Sequence, residues 1–481
     1  MSRLIILSNR VSLPQTGKCV AGGLAVAMQD ALSKVGGVWV GWNGEKIENQ
    51  VNQRFDILYK SKITYMTCPL TQKQYQDYYC GFSNNTLWPM MHDRDDLIEY
   101  DHSEYETYQQ VNRLFAKKIS EFAEPDDLIW VQDYHFLSVA RHCRELGMPN
   151  KIGFFLHIPF ASMKLWKKLP VAQALLEDLC HYNLLGLQTE QDQKTCIQTC
   201  AQLLKAQKIQ THLLSLNQNL VSIQHYPIGV DVKGIQRSVK DGLDVELPEM
   251  WSKDSSMKTI IGVDRIDYSK GLFERFNAFA SFLEQHPETH EKIQHVQIAC
   301  PCRLDVATYK RLFERFKLKM DLINNEFKQN KWYPIVCSYE SKPHHELMQL
   351  YRQADICWIS SLKDGMNLVA KEFIAAQDPQ NPGVLILSKF AGAAEQMVDA
   401  LVVDPTDRKA MLSALETALN MSLMERKYRY QRLIHQLTNY DINDWCTDFL
   451  SDLECSQYAQ SFVYENTLEA VSFYPKASFR I

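Results

Sequence analysis

The chain has 481 residues, 46% of them hydrophobic and 23% charged, with a formal net charge of −5. That length suits two or three domains with proper cores and that composition an ordinary globular enzyme, while a net negative chain with no dense Lys/Arg run argues against nucleic-acid partners. The apolar run in "MSRLIILSNR" is too short for a signal-peptide core, and no later run approaches the roughly 20 apolar residues of a membrane span, so a cytoplasmic protein without a membrane partner is expected.

In chain order, apolar β-branched runs alternate with helical patterns. "RLIILS" precedes "GGLAVAMQDALSKV", "DLIWVQ" precedes "FLSVARHCREL", and "KIGFFLHI" precedes "VAQALLEDLCHY". This is the alternation of buried parallel strands under helices. After "HYPIGVDV" the stretch "KDGLDVELPEMWSKDSS" is polar and reads as a linker. The pattern then restarts with "KTIIGVDRI", "HVQIAC", "YPIVCS", "ADICWIS" and "GVLILS". The expected fold is α/β, with two Rossmann-like parallel-sheet domains facing a central cleft. Residues 1–234 form the first and 235–440 the second. In 441–481, the helical "DINDWCTDFLSDLE" packs back toward the first domain.

Ligands of such folds bind at strand ends and helix starts. Arg10 ends the first strand, and Gly22 and Gly23 precede the first helix. Asp133 follows "WVQ", where a helix cap is the ordinary use of such a residue. His157 ends "FFLHI", where a core histidine is the ordinary use. Tyr79 and Trp88 in "YYCGFSNNTLWP" read as core aromatics or as walls of a sugar site. In the second half, Arg265 and Lys270 occupy the loop after a strand. A diphosphate would use both cations; the alternative is a surface loop paired with Asp264 and Asp267. Neither G-x-G-x-x-G nor G-x-x-x-x-G-K-[ST] occurs, so a dinucleotide oxidoreductase and a P-loop NTPase are unsupported.

The stretch "SSLKDGMNLVAKEF" runs from strand to helix. A helix start offers unpaired N–H groups to an anion. If a phosphate sits near the Leu368 N–H, Glu372 lies one turn on, about 5–6 Å away. That suits a carboxylate on the ribose hydroxyls; the alternative is a capped helix with a surface Glu. The 13 cysteines are scattered, and neither Cys196/Cys200 nor Cys300/Cys302 is completed at zinc spacing, so reduced thiols and no metal are expected.

Taken together, "SNR…AGGLA", "GWNGE", "YYCGFSNNTLWP", "VQDYH", "FFLHIPF", "LLGLQTE", "YPIGVD", "DRIDYSKGL", "CRLDV", "DGMNLVAKEF" and "DINDW" resemble the trehalose-6-phosphate synthases. These are retaining nucleotide-sugar glycosyltransferases of two Rossmann-like domains (GT-B type), and the resemblance covers about residues 2 to 455. It implies UDP-glucose as donor, glucose 6-phosphate as acceptor, and no cofactor. It implies Arg10, Tyr79, Asp133 and Arg303 for the acceptor, with Trp88 and Ile158 shaping the sugar pocket. It implies Gly22, Gly23, Arg265, Lys270 and the run Leu368, Val369, Ala370, Lys371 and Glu372 for the donor. His157 and the backbone at Asp364 would meet the transferred glucose, and an assembly of like chains is compatible with it.

The chain departs from the family pattern at Ala161, where Pro is usual, at Cys300-Pro301-Cys302, and over Tyr339–Lys342 near the base. The resemblance also implies front-face attack, with Asp133 positioning the acceptor and with Arg265, Lys270 and the helix start stabilising the departing diphosphate. Two rivals are a sister glycosyltransferase with another phosphorylated acceptor and a catalytically silent regulatory subunit. The second should lack Arg10, Asp133, His157 or Arg303, and all four are present.

Overall fold

The computed structural model describes residues 3–13, 28, 32, 36–217, 219–240 and 257–465. Gly22, Gly23, most of the first expected helix and most of the expected linker lie outside the described residues.

Among the described residues sixteen strands form two sheets. The first contains β1 (Leu4–Arg10), β2 (Gly37–Ile47), β3 (Asp56–Lys60), β4 (Ile63–Thr71), β5 (Leu128–Gln132), β6 (Lys151–Phe155), β7 (Leu184–Leu187), β8 (Gln207–Gln210), β9 (Leu213–Leu216) and β10 (Asn219–His225), in the order β3-β4-β2-β1-β5-β6-β7-β10-β9-β8. Its central run is parallel, and β3, β8 and β9 pair antiparallel at the two edges. The second sheet contains β11 (Lys258–Arg265), β12 (Ile293–Cys300), β13 (Ile335–Ser338), β14 (Ile356–Ile359), β15 (Val384–Ser388) and β16 (Leu401–Val403). It is parallel throughout, in the order β13-β12-β11-β14-β15-β16.

The physical reason lies in the strand sequences. "LIILS", "IWVQ" and "ICWI" are buried along their whole length, as strands with helices on both faces must be. Strand order reverses beside β1 in the first sheet and between β11 and β14 in the second. Such switch points leave a crevice beyond the carboxyl ends of the strands. Arg10 and Arg265 end β1 and β11 there, and the loops after β5 and β14 carry Asp133 and Asp364.

Eight of these strands, β2–β4, β7–β10 and β16, are not among those expected from the sequence, and neither is the winding of Tyr75–Leu87. In β2, "GVWVGWNGEKI", glycines and a polar end interrupt the β-branched run. Tyr75–Leu87 winds as a wide π-type helix, in which the Trp88 N–H bonds the Ser83 carbonyl. Such wide turns are uncommon and recur at functional sites; this one carries Tyr79 and leads into Trp88.

The helix Ile442–Glu465 crosses onto β6 and β7 of the first sheet. Trp445 and Phe449 are fully buried there, their ring centroids 5.0 and 4.7 Å from that of Trp130. The same apolar cluster continues through Ile228 and Met366 to Phe373 and Ile374 under the second sheet, so one core ties the two halves. Truncating a fully buried ring of this kind typically costs about 3–5 kcal/mol. Among the described residues no helix is long and apolar enough to cross a membrane.

Candidate active site

The halves meet at Gly365. A Cβ there would stand 2.1 Å from the His157 carbonyl oxygen, so only glycine allows this approach. Further links cross the cleft: Lys363 to Asp93 at 2.9 Å, the Tyr75 hydroxyl to Asp305 at 2.5 Å, and Arg303 to the Tyr134 hydroxyl at 3.2 Å. The cleft contains a cavity of about 750 Å³ and an adjoining one of about 310 Å³. Asn9, Asp133, His135, His157, Arg265, Lys270 and Asp364 line both.

Arg10, Leu368, Val369 and Glu372 face the larger cavity. Tyr79, Trp88, Ile158 and Arg303 face the smaller. Asp133, Arg303 and Asn367 all have positive φ, of 72°, 51° and 78°. Non-glycine residues rarely hold that conformation, and it clusters where function demands it.

Asp133 is anchored by its own N–H to the Phe155 carbonyl at 2.7 Å, and its Oδ1 accepts the His157 N–H at 3.2 Å. Burial pushes its carboxyl up to about 6, against the opposing pull of the Tyr134 and His157 N–H groups and of Arg265 and Arg303. His157 is pushed down to about 3 by burial, so the ring is neutral. Its Nε2 lies 2.9 Å from Gln132 Oε1, which fits the tautomer with the proton on Nε2.

Two cations lie close to the Trp88 ring. The Arg303 guanidinium carbon lies 3.9 Å from its ring centroid and that of Arg265 5.2 Å. Arg303 donates through Nη1 to Asp267 at 3.1 Å and to the Tyr309 hydroxyl at 2.6 Å. Burial would raise the Asp267 carboxyl, but Arg303 and Arg265 outweigh it and hold the group well below the usual carboxylate range.

The surface-loop alternative for Asp264 and Asp267 does not hold. Both carboxylates are buried and paired, Asp264 with Arg275 at 2.6 Å and Asp267 with Arg303. Lys270 reaches instead to Asp364, at 2.5 Å. Asp364 Oδ2 also accepts from Asn367 at 3.0 Å and Ser361 at 3.1 Å.

The helix Leu368–Ala376 starts at Asn367, whose Oδ1 accepts the Ala370 N–H at 3.2 Å. The Leu368 and Val369 N–H groups have no protein acceptor among the described residues and lie at the cavity wall. Glu372 is on the same wall, with His344 Nε2 3.6 Å from its Oε1. Ala370 is fully buried. Lys371 turns away from the cleft and donates to the Ile228 carbonyl at 2.6 Å and Gln396 at 2.7 Å. Burial pushes its ammonium down to about 7. Its side chain is a strut between elements, while its backbone stays within the helix start.

Three groups at the site had no sequence signal: Tyr134 and Tyr309, which hold Arg303, and His344. Their partners lie 169, 6 and 28 residues away. At Ala161 the chain is fully buried, with its N–H 3.3 Å from Met91 Sδ. Cys300 lines the larger cavity, and Cys302 Sγ lies 3.4 Å from the Ile266 carbonyl. Among the described residues no group of three or more His, Cys, Asp or Glu side chains could hold a metal ion.

Known proteins share this architecture. A trehalose-6-phosphate synthase of Sodalis glossinidius is 40% identical over 454 residues, which is 94% of this chain and 96% of the relative. An α,α-trehalose-phosphate synthase (UDP-forming) from Burkholderia xenovorans, solved in complex with glucose-6-phosphate, superposes with a TM-score of 0.90 at 38% identity, over 94% of this chain and 100% of that one. An Escherichia coli trehalose-6-phosphate protein solved with UDP-2-fluoro glucose gives 0.89 at 38% identity, over 94% and 99%. The model of glycosyltransferase family 20 matches residues 7–455, and the chain belongs to that family.

Proposed function

We propose that the cleft transfers glucose from UDP-glucose to the anomeric hydroxyl of glucose 6-phosphate, with retention, giving α,α-trehalose 6-phosphate and UDP. The supporting observation is the division of the cleft. Its larger cavity offers an open helix start, Lys270, Arg265 and Glu372, which suits a nucleoside diphosphate. Its smaller cavity offers Arg303, Tyr79 and Trp88, which suits a sugar phosphate. Asp133 and His157 line both, where the reacting carbon must pass.

The C1–O bond to UDP breaks as the acceptor oxygen bonds to C1 on the same face. The acceptor proton goes to the departing phosphate oxygen. Asp133 accepts a hydrogen bond from the acceptor and orients it. His157, neutral and fixed by Gln132, positions the transferred glucose without supplying a proton. Asp364 is already engaged by Lys270, Asn367 and Ser361, so its carboxylate holds Lys270 rather than attacks. Positive charge for the leaving group comes from Lys270, Arg265 and the Leu368 and Val369 N–H groups.

Activity should fall on acidification through about 6, as Asp133 takes up a proton. Glucose 6-phosphate titrates nearby, since phosphate monoesters have a second pKa of about 6. The plot of log kcat/KM for the acceptor against pH should therefore approach a slope of about 2 on its acid limb. In Asp133→Asn the slope should drop to about 1, and the plateau should fall by roughly 10- to 100-fold through loss of a charged hydrogen bond. An unchanged slope would remove Asp133 from the titration.

The reading is tested by turnover of UDP-glucose with glucose 6-phosphate, glycerol 3-phosphate, an inositol phosphate and glucose. Glucose 6-phosphate should exceed the others by 10²-fold or more in kcat/KM, as about two ill-matched polar contacts would produce. Preference for another phosphate would assign the cleft to a different acceptor.

A further inference from the structure

β3 forms one edge of the first sheet. It reads Asp56-Ile57-Leu58-Tyr59-Lys60, and every residue in it is exposed. Its apolar side chains are unusually bare, with Ile57, Leu58 and Tyr59 48%, 43% and 76% exposed. A free edge presents unpaired N–H and C=O groups to any other strand, and proteins ordinarily blunt it. The other sheet edges are blunted. β8 is mostly polar and has a register shift between Lys208 and Gln210. β13 and β16 are only four and three residues long. β3 pairs with β4 in an unbroken register over its whole length.

The hairpin fixes which groups lie on the free side. Ser61 and Lys62 form its turn, closed by Lys60 and Ile63. The closing pair of such a hairpin is hydrogen-bonded, and bonded pairs then alternate along the strands. Asp56, Leu58 and Lys60 therefore direct their main-chain groups at β4. Those of Ile57 and Tyr59 point outward, and among the described residues no main-chain partner meets them.

We propose that β3 is the docking strand for a second copy of this chain, paired antiparallel to itself about a twofold axis at Leu58. In that register Ile57 of one copy faces Tyr59 of the other, and their outward N–H and C=O groups meet as hydrogen-bonded pairs. A β-branched side chain then lies beside an aromatic one, a favourable cross-strand pair. On the opposite face Leu58 meets Leu58, and Asp56 meets Lys60 at both ends. These are the closer, non-bonded positions, with Cα atoms about 4.5 Å apart. Asp56 and Lys60 are exposed, and neither joins an ion pair among the described residues. Sliding the strands by two residues either way, the smallest shift that keeps the hydrogen-bond phase, would set a charge opposite Leu58. The strand is complementary to itself in one register, as a twofold interface requires. The pairing is independent of which acceptor the cleft takes.

Sedimentation equilibrium of the full chain between about 1 and 100 µM tests the pairing, since a small interface suits roughly micromolar affinity. Wild type should reach twice the mass of Tyr59→Pro, because proline removes the outward N–H of Tyr59 and no bond to β4. Asp56→Lys and Lys60→Asp each set like charges opposite one another at both ends, so each should weaken association by about 10- to 30-fold. The double variant restores opposite charges in the same register and should return to within about threefold of wild type. If Tyr59→Pro does not fold, the charge exchange decides alone.

A wild type that stays monomeric at the highest concentration would overturn the proposal. So would an assembly of unchanged mass in Tyr59→Pro and in both single charge variants, which would place the contact elsewhere. Single variants weakened without recovery in the double variant would refute the register and the proposal with it.

Discussion

Replacing Lys270 with Ala lowers kcat by about 10²- to 10³-fold, the usual cost of losing one transition-state donor, and raises the KM for UDP-glucose as well. The structure gives this loss two sources. Lys270 Nζ is the cation nearest Asp364, at 2.5 Å. Burial works against ionisation of Asp364, but Lys270 and Asn367 more than offset it and keep its carboxyl below the ordinary range. Without the lysine, an unpaired carboxylate would face the diphosphate, and attraction would become repulsion. Asp364→Asn in the Lys270→Ala background should therefore recover part of the donor affinity but little of kcat. Equal recovery of both would show that Lys270 serves only to neutralise Asp364.

Arg303→Ala raises the KM for glucose 6-phosphate by about 10²-fold or more, through loss of a charge-assisted contact to phosphate, and leaves donor affinity within a few-fold. It should also destabilise the fold. Arg303 and Asp267 are 5% and 0% exposed at their side chains, and the pair is 3.1 Å apart. Breaking such a pair on one side strands the other charge and typically costs about 3–5 kcal/mol. Arg303→Lys separates the two roles. It returns a cation to Asp267, so most of the stability lost in the alanine variant should come back in urea denaturation. It lacks the planar fork that binds Tyr134 and Tyr309 and that the proposed function aims at phosphate, so the acceptor KM should stay at least about 10-fold high. Full recovery of KM with lysine would show that charge alone matters at this position.

Much of this site can be read from one dimension because strand ends are visible there. Arg10, Asp133, His157, Arg265 and Asp364 each follow an apolar run, and parallel sheets bring such ends to one crevice. The helix start after "DGMN" carries its own signal, since an Asn or Asp before an apolar-periodic run caps a helix.

The pairing of charges was not legible. Asp264 and Asp267 lie close in sequence to Arg265 and Lys270, and a local loop network was the natural alternative. In the folded chain Asp267 bonds Arg303, 36 residues on, and Lys270 bonds Asp364, 94 residues on. Local spacing carries no information about such contacts, because packing of distant elements decides them. The wide helix Tyr75–Leu87 was hidden because hydrophobic periodicity does not distinguish a π-type helix from an irregular segment.

In the proposed reaction one cleft joins two glucosyl units with retention, and side chains and a helix start carry the leaving charge. ¹³C NMR of the product from UDP-[1-¹³C]glucose and glucose 6-phosphate, with excess EDTA present, tests it most directly. A single labelled α-anomeric resonance, coupled across a 1,1 linkage to a phosphorylated glucose, should form within a few-fold of the rate without chelator. A β-configured product, a free labelled glucose, or turnover that disappears with EDTA and returns with Mg²⁺ would contradict it.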